Sequence, residues 1–307
     1  MMAQRKHTIG SGSSLAQAAA SKPRRTVRHT SAPMRAVTRR RLVALGVAGA
    51  AALAGGRIAG APAAAAQADG IVLPDGRVYD AYIDAALKEG QFDQYTCEFD
   101  AAWVIFKTFG QDIGLEEQVA VIGFDTRIEP YLEQTAEGPV IYGGDIGSMY
   151  SGDYTSSYLA RTTGKAMRKV FEEFGFAAEP VDDRAGIEAA LDRGAPVWMK
   201  VTVDFQPWEP VTWITPEGKE FPEVLGNDHA VVAIGYNDDT IVIRDVLGPT
   251  STNWERAYEY EVPWETFLPV WGAQANDGIA VAPGGEDELN SDAGAPQIVP
   301  AQITGSP

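Results

Sequence analysis

Cysteine and histidine are the scarcest reactive residues in this chain. There is one cysteine, Cys97, and three histidines, of which His7 and His29 fall in a basic leader and His229 does not. A single cysteine excludes an intramolecular disulfide and any thiolate cluster. No Cys pair, His cluster or Asp-x-Asp-x-Asp-Gly loop has metal-ligand spacing, so no metal or other cofactor is implied. Glycine-rich phosphate loops are also missing: Gly143-Gly144-Asp145-Ile146-Gly147 lacks the lysine and the strand–helix context, and reads as a turn. Acidic residues are absent from the first 66 positions, which hold eleven Lys or Arg. The longest apolar run, Leu42 to Gly56, is roughly 15 residues against the ~20 of a spanning helix, so a cleavable signal is expected over an uncleaved membrane anchor, with no stable membrane insertion after cleavage.

What stands in that leader is the pattern of an export signal. Thr38-Arg-Arg-Arg-Leu-Val-Ala44 opens into the apolar run, and an alanine-rich stretch ends near Ala66 or Ala68. A basic region, an apolar region and small residues for a peptidase are the three parts of a cleavable signal. The adjacent arginines resemble a twin-arginine signal, so the export machinery of that pathway is the first expected partner. Met34 begins an n-region of ordinary length, and translation is expected to start there. The protein is therefore expected outside the cytoplasm, extracellular or in the cell envelope.

Removing eleven of 25 basic residues leaves 14 against 42 acidic ones, a balance near −28. So acidic a chain repels nucleic acid and anionic membranes, and neither is expected as a partner.

Three parts follow along the chain: the leader to residue 68, a folded domain over 69–283 and an acidic, Pro/Ala-rich tail over 284–307 with little to bury. Helical spacing of apolar residues runs over Glu98–Phe109, Leu115–Ile122, Gly164–Phe174 and Arg184–Arg193. Strand-like runs follow at Pro196–Val203, Ala230–Tyr236, Thr240–Arg244 and Gly278–Ala282. Helices first and antiparallel strands later predict an α+β fold. Gly123 to Thr163, rich in Gly, Tyr, Ser and Asp, has no period and reads as a loop over a cleft or an unordered excursion.

A cysteine nucleophile needs a depressed pKa, a base, an orienter for that base and donors for an oxyanion. Cys97 falls in the first turn of a predicted helix, where free N–H groups and the dipole favour a thiolate. Its own N–H is one oxyanion donor. Gln91, six residues upstream, is a candidate for the second, with Gln94 competing. His229 opens the strand Ala230–Tyr236, and Asn237-Asp238-Asp239 turns it into Thr240–Arg244, with Asp245 beyond. Pairing 236 with 240 puts 229 opposite 247, so a small register slip makes His229 and Asp245 cross-strand neighbours. A carboxylate there fixes the imidazole tautomer and stabilises the imidazolium.

Gln, then Cys six residues on at a helix start, then His at a strand start and Asp sixteen further on, resembles the papain-like cysteine peptidases. More closely it resembles the bacteriocin-processing, double-glycine family (peptidase family C thirty-nine) and its stand-alone secreted relatives. Gly114-Leu-Glu-Glu-Gln-Val-Ala-Val-Ile-Gly123 is similar to that family's second helix, and Gly194-Ala-Pro-Val to its Gly-x-Pro-Val strand. His229–Tyr236 and Val-Ile-Arg-Asp245 are similar to its His and Asp strands, and Pro263–Phe267 with Trp271 to its closing helix. The resemblance implies a papain-like fold, N-terminal helices packed on an antiparallel sheet. It implies Cys97 as nucleophile, His229 as general base and acid, Asp245 as orienter, and Gln91 with the Cys97 N–H as oxyanion hole. The reaction implied is hydrolysis of a peptide or amide bond through a thioester, on a peptide or protein substrate. Glu98 and Phe99 stand where the family has glycine and a small residue, and a carboxylate beside a thiol raises its pKa unless it points outward.

The rival reading is an inactive, secreted binding module on the same fold, with some of the seven tryptophans, such as Trp198, Trp208, Trp213, Trp254 and Trp264, lining a groove. Transglutaminases and cell-wall amidases also use Cys and His, at a shorter separation than that between residues 97 and 229.

Overall fold

The computed structural model describes residues 70–284 other than residue 252. The leader to residue 68 and the tail after Gly284 lie outside the described residues.

Three short strands, β1 (Ile71–Val72), β2 (Val78–Tyr79) and β3 (Ala81–Tyr82), precede the helices α1 (Cys97–Thr108) and α2 (Leu115–Ile122). A hairpin follows, β4 (Tyr131–Thr135) and β5 (Gly138–Tyr142), then α3 (Gly164–Glu173), β6 (Phe176–Val181), α4 (Arg184–Asp192) and β7 (Val197–Thr202). A second hairpin, β8 (Pro210–Ile214) and β9 (Glu220–Val224), leads into β10 (Asp228–Tyr236) and β11 (Thr240–Arg244). The chain closes with β12 (Glu259–Pro263), α5 (Trp264–Gly272) and β13 (Gly278–Pro283). The four helices expected from apolar spacing are α1 to α4, each within a residue or so of its expected bounds.

The main sheet runs β12-β11-β10-β7-β13-β6, antiparallel throughout, with β3 added against the end of β10. Alternation along β10 decides what each face covers. Ala230, Val232 and Ile234 enter the core under α1, α2 and α3, whereas Val231 and Ala233 pack on the other face with α4 and α5. The same alternation in β7 turns Trp198 toward α1, where its Nε1 donates to the Glu98 carbonyl at 3.0 Å. Lys200, two residues on, shares that face. The molecule is thus an α+β layer structure with helices on both faces of one sheet.

The region Gly123–Thr163 is not an unordered excursion, and it carries strands where no period was expected. Its hairpin β4–β5 joins β8–β9 in a second sheet of order β4-β5-β8-β9, and the β5–β8 pairing is parallel. The missed strands read poorly because Glu133, Gln134, Pro139, Pro222 and Glu223 interrupt any apolar alternation. A small core of Ile141, Ile146, Leu159, Val211 and Trp213 supports this sheet.

The expected slip between β10 and β11 is corrected in kind. Tyr236 pairs with Ile241 and Gly235 with Val242, and a bulge then moves the register so that Ala233 pairs with Ile243 and Val232 with Arg244. That upper register leaves position 229 facing 247. Asp245 therefore reaches His229 diagonally, two positions along, a span that side chains of this length can cover.

Candidate active site

Cys97 is the first residue of α1, and the loop before it is clamped from below. Asp100, fully buried, accepts from the Phe92 N–H (2.9 Å) and the Thr96 hydroxyl (2.7 Å), and faces Lys88 Nζ at 3.1 Å. Burial raises its carboxyl to about 6, and the Thr96 hydroxyl and Lys88 oppose that rise. These contacts fold residues 88–96 back over the start of the helix, and so carry Gln91 to Cys97. The Gln91 carboxamide lies 3.2 Å from the Cys97 backbone nitrogen. With its oxygen toward that N–H it accepts from Cys97 and donates to the Gln94 carbonyl, both at 3.2 Å. Turned over, its Nε2 stands beside the Cys97 N–H as a second donor, while its oxygen then lies 3.2 Å from the Gln94 carbonyl oxygen. Gln94 instead donates to the Tyr95 hydroxyl at 3.0 Å on the exposed side.

His229, 2% exposed, is the second residue of β10. Its Nε2 lies 2.9 Å from Asp245 Oδ1. A carboxylate at Nε2 requires the proton there and leaves Nδ1 with a lone pair. Asp245 is itself fully held. The Leu247 N–H donates to Oδ1 (2.8 Å), the Tyr260 hydroxyl to Oδ2 (2.8 Å), and Arg256 Nη1 stands 3.4 Å from Oδ2. Burial alone would raise this carboxyl, but His229 and Arg256 outweigh it and keep it well below the usual carboxylate range. Arg256 and Tyr260 carry no motif, and sequence reasoning missed both.

Gln91, Cys97 and His229 line one cleft of about 530 Å³, and Asp245 backs His229 from behind it. The four expected site residues are therefore brought to one place. Leu132, Tyr158, Trp208 and Leu225 form an apolar wall contributed by the second sheet and its flanking loops. Of the tryptophans, Trp198, Trp213, Trp264 and Trp271 are core residues; Trp208 lines the cleft, half-exposed, and Trp254 is exposed.

The departure at Glu98 bears directly on the thiol. Glu98 points inward, 1% exposed, and its Oε2 accepts from Cys97 Sγ at 3.2 Å. Its Oε1 accepts from the Thr162 N–H at 3.2 Å and lies 3.5 Å from Lys200 Nζ. Lys200 Nζ in turn donates to Asp228 Oδ2 at 2.5 Å and to the Thr162 carbonyl at 3.2 Å. Arg161, fully buried, donates to Glu223 Oε2 and to the Val224 carbonyl, both at 2.9 Å. Burial first, then the carboxylates of Glu98 and Asp228, push the Cys97 thiol well above its ordinary value, and Lys200 opposes them only in part. The signal for this cluster was present in the sequence as charges at apolar positions, Lys200 within Val-Trp-Met-Lys-Val above all.

The model of the Peptidase_C39 like family matches residues 87–279, well over half of the chain. The chain belongs to the Peptidase_C39 like family. A Bacillus anthracis protein described as a C39-like peptidase superposes with a TM-score of 0.51 at 17% identity, covering 66% of this chain and 96% of that one. At that identity the likeness establishes the fold alone, that of a C39-like peptidase. The Carica candamarcensis cysteine protease CMS1MS2, in complex with E-64, covers 65% of this chain and 94% of its own at 15% identity. Its TM-score of 0.32 is too low to carry an argument about this chain. No curated protein matches. Family membership places the chain among cysteine peptidase-type hydrolases by fold. Among the described residues no helix is long and apolar enough to cross a membrane.

Proposed function

We propose that this protein is an exported cysteine peptidase that hydrolyses a peptide or amide bond through Cys97, His229, Asp245 and Gln91. The observation that carries the reading is the 2.9 Å contact of His229 Nε2 with Asp245 in the wall of the cleft that also holds Cys97 and Gln91. Asp245 keeps the proton on Nε2, so Nδ1 takes the thiol proton when Sγ turns from Glu98 toward the imidazole. The thiolate adds to the carbonyl carbon, and the oxyanion is met by the Cys97 N–H and the turned-over Gln91 amide. Expulsion of the amine, which receives the proton from His229, leaves a thioester that water then hydrolyses. The apolar wall of Leu132, Tyr158 and Trp208 suits a substrate peptide with a bulky apolar side chain beside the scissile bond. The leader and the acidic balance of the chain support action outside the cytoplasm on a peptide or protein, after passage through a twin-arginine type export machinery.

A second reading, an inactive binding module, is favoured by one specific observation, the hydrogen bond of the thiol to a buried carboxylate. Incubation of the purified protein with a tryptic peptide library, read by mass spectrometry, separates the two. New termini that vanish in both Cys97→Ser and His229→Ala support the peptidase. A library left uncut at pH values from about 5 to 8, with the thiol still reactive or not, returns the protein to the binding-module reading.

A further inference from the structure

The thiol of Cys97 is held by a carboxylate that belongs to an unbalanced buried cluster. Glu98 on α1 faces Lys200 on β7 and Asp228 on β10, and beyond them stand Glu223 on β9 and Arg161 in the segment before α3. Tyr150 packs on Phe99 and turns its hydroxyl away, to the Tyr95 carbonyl. On the far side Asp277 takes the Gly164 N–H at 2.7 Å. Glu98, Glu223 and Asp228 thus share two cations, Lys200 and Arg161, and every one of these side chains is at most 6% exposed. Three carboxyls against two cations in a dry site leave one charge uncompensated unless the cluster holds a proton. Burial raises Glu98, and raises Glu223 to about 7, with Lys200 opposing in both and Arg161 also opposing in Glu223. Of the three carboxyls only Glu98 has a hydrogen bond with the sulfur.

We propose that Glu98 sets the reactivity of Cys97 by its own protonation. Ionised, it accepts from the S–H and keeps the thiol neutral, with the imidazole of His229 also neutral. Protonated, it donates its O–H to the sulfur, the S–H proton passes to His229 Nδ1, and a thiolate–imidazolium pair forms with no proton lost or gained in that step. The inference rests on Cys97 and His229 being nucleophile and base. Its consequence is opposite to the behaviour of a free thiol, whose reactivity rises with pH. Here the thiolate is favoured as pH falls through the titration of the cluster.

Because Cys97 is the only cysteine, every thiol alkylation on the full chain, located by peptide mass, reports on it. The test is the rate of iodoacetamide alkylation from about pH 5 to 8.5 for the wild type, Glu98→Gln and His229→Ala. The wild-type rate is expected to be higher on the acid side of the cluster's titration and to fall about threefold or more by pH 8, as loss of a donor and gain of a like charge beside the sulfur require. Glu98→Gln keeps a neutral donor at every pH, and is expected to match the wild-type acid-side rate with a flat profile down to pH 6, so that at pH 8 it reacts about threefold or more faster than wild type. A wild-type rate that climbs steadily through pH 8.5, or a glutamine variant no faster at pH 8, overturns the role of Glu98. If the glutamine variant loses its far-ultraviolet circular dichroism, the wild-type profile alone decides. A His229→Ala variant that alkylates like wild type at every pH sinks the nucleophile–base reading and this inference with it. A slowed His229→Ala beside an unresponsive Glu98→Gln keeps the first and discards the second.

Discussion

At the scale of single residues, the site depends on buried charges with assigned partners. Asp245 carries four contacts, from His229, Leu247, Tyr260 and Arg256, and the last has few alternatives because it is 5% exposed. Arg256 also donates to the Gly248 carbonyl at 2.8 Å, lies 2.9 Å from Asp204 and stacks 5.4 Å over the Tyr260 ring. Removing one member of a buried ion pair leaves the other desolvated, at about 3–5 kcal/mol. Asp245→Ala is therefore expected to lower the urea midpoint by an amount worth about 3 kcal/mol at unchanged m-value. A loss below about 1 kcal/mol would mean that Arg256 is satisfied by Asp204 alone and that Asp245 is held only for His229. Cys97 and His229 were legible in the sequence because each type occurs once outside the leader, at a helix start and a strand start, whereas Asp245 and Gln91 were candidates from the hairpin register, the spacing to Cys97 and the family resemblance. Glu98 was legible as a departure, but not its direction: whether a side chain at the first turn of a helix points in or out is decided by the neighbouring sheet.

At the scale of elements, α1 to α4 were readable because each has an apolar stripe and a glycine or acidic boundary. Asp183, for example, accepts from the Gly186 N–H at 2.7 Å and starts α4. The edge strands were not readable, since polar and proline residues at exposed edge positions remove the alternation that marks a half-buried strand. The β10–β11 bulge is the element-level feature that sets the position of Asp245. Gly235 sits in it, and a Cβ there would approach the Ala81 carbonyl oxygen to 2.8 Å and Tyr82 Cα to 3.3 Å. Gly235→Ala is expected to push β3 off β10 and to cost roughly 1–3 kcal/mol, as overpacking against backbone does. Differential scanning calorimetry checks it; an unchanged melting temperature would show that β3 shifts freely and that the bulge tolerates a side chain.

At the scale of the whole molecule, ion pairs tie Glu223 of the second sheet to Arg161 and to Lys200 of the main sheet, and Glu98 at the start of α1 and Asp228 belong to the same buried cluster. Its carboxyls tie global stability to pH. Glu223 titrates at about 7 in the fold, against 4.5 for an ordinary glutamate, and Glu98 is raised in the same direction. A carboxyl raised in the folded state stabilises it fully below the unfolded value and loses that contribution as pH climbs through the folded one. Asp245, lowered by His229 and Arg256 against its burial, acts in the opposite sense and only in acid, below the ordinary aspartate range. The melting temperature is therefore expected to be higher near pH 6 than near pH 8, and to fall again below about pH 4. A thermal melt series in one buffer system of constant ionic strength decides it, and stability that rises from pH 6 to 8 would remove the shared proton from the cluster.

The sequence by itself determined the helices, the strands of the sheet centre, the family likeness and the identities of the four candidate site residues. Local periodicity and rare residue types are properties of the chain, readable without knowing what packs against what. Only the tertiary structure decided that Asp245 meets His229 across a bulged diagonal, that Gly123–Thr163 builds a cleft wall, and that Glu98 turns inward onto the thiol. Each of these depends on contacts between residues from about 60 to 130 positions apart or on a one-residue change of register, and in a dry interior such contacts set which group keeps its proton.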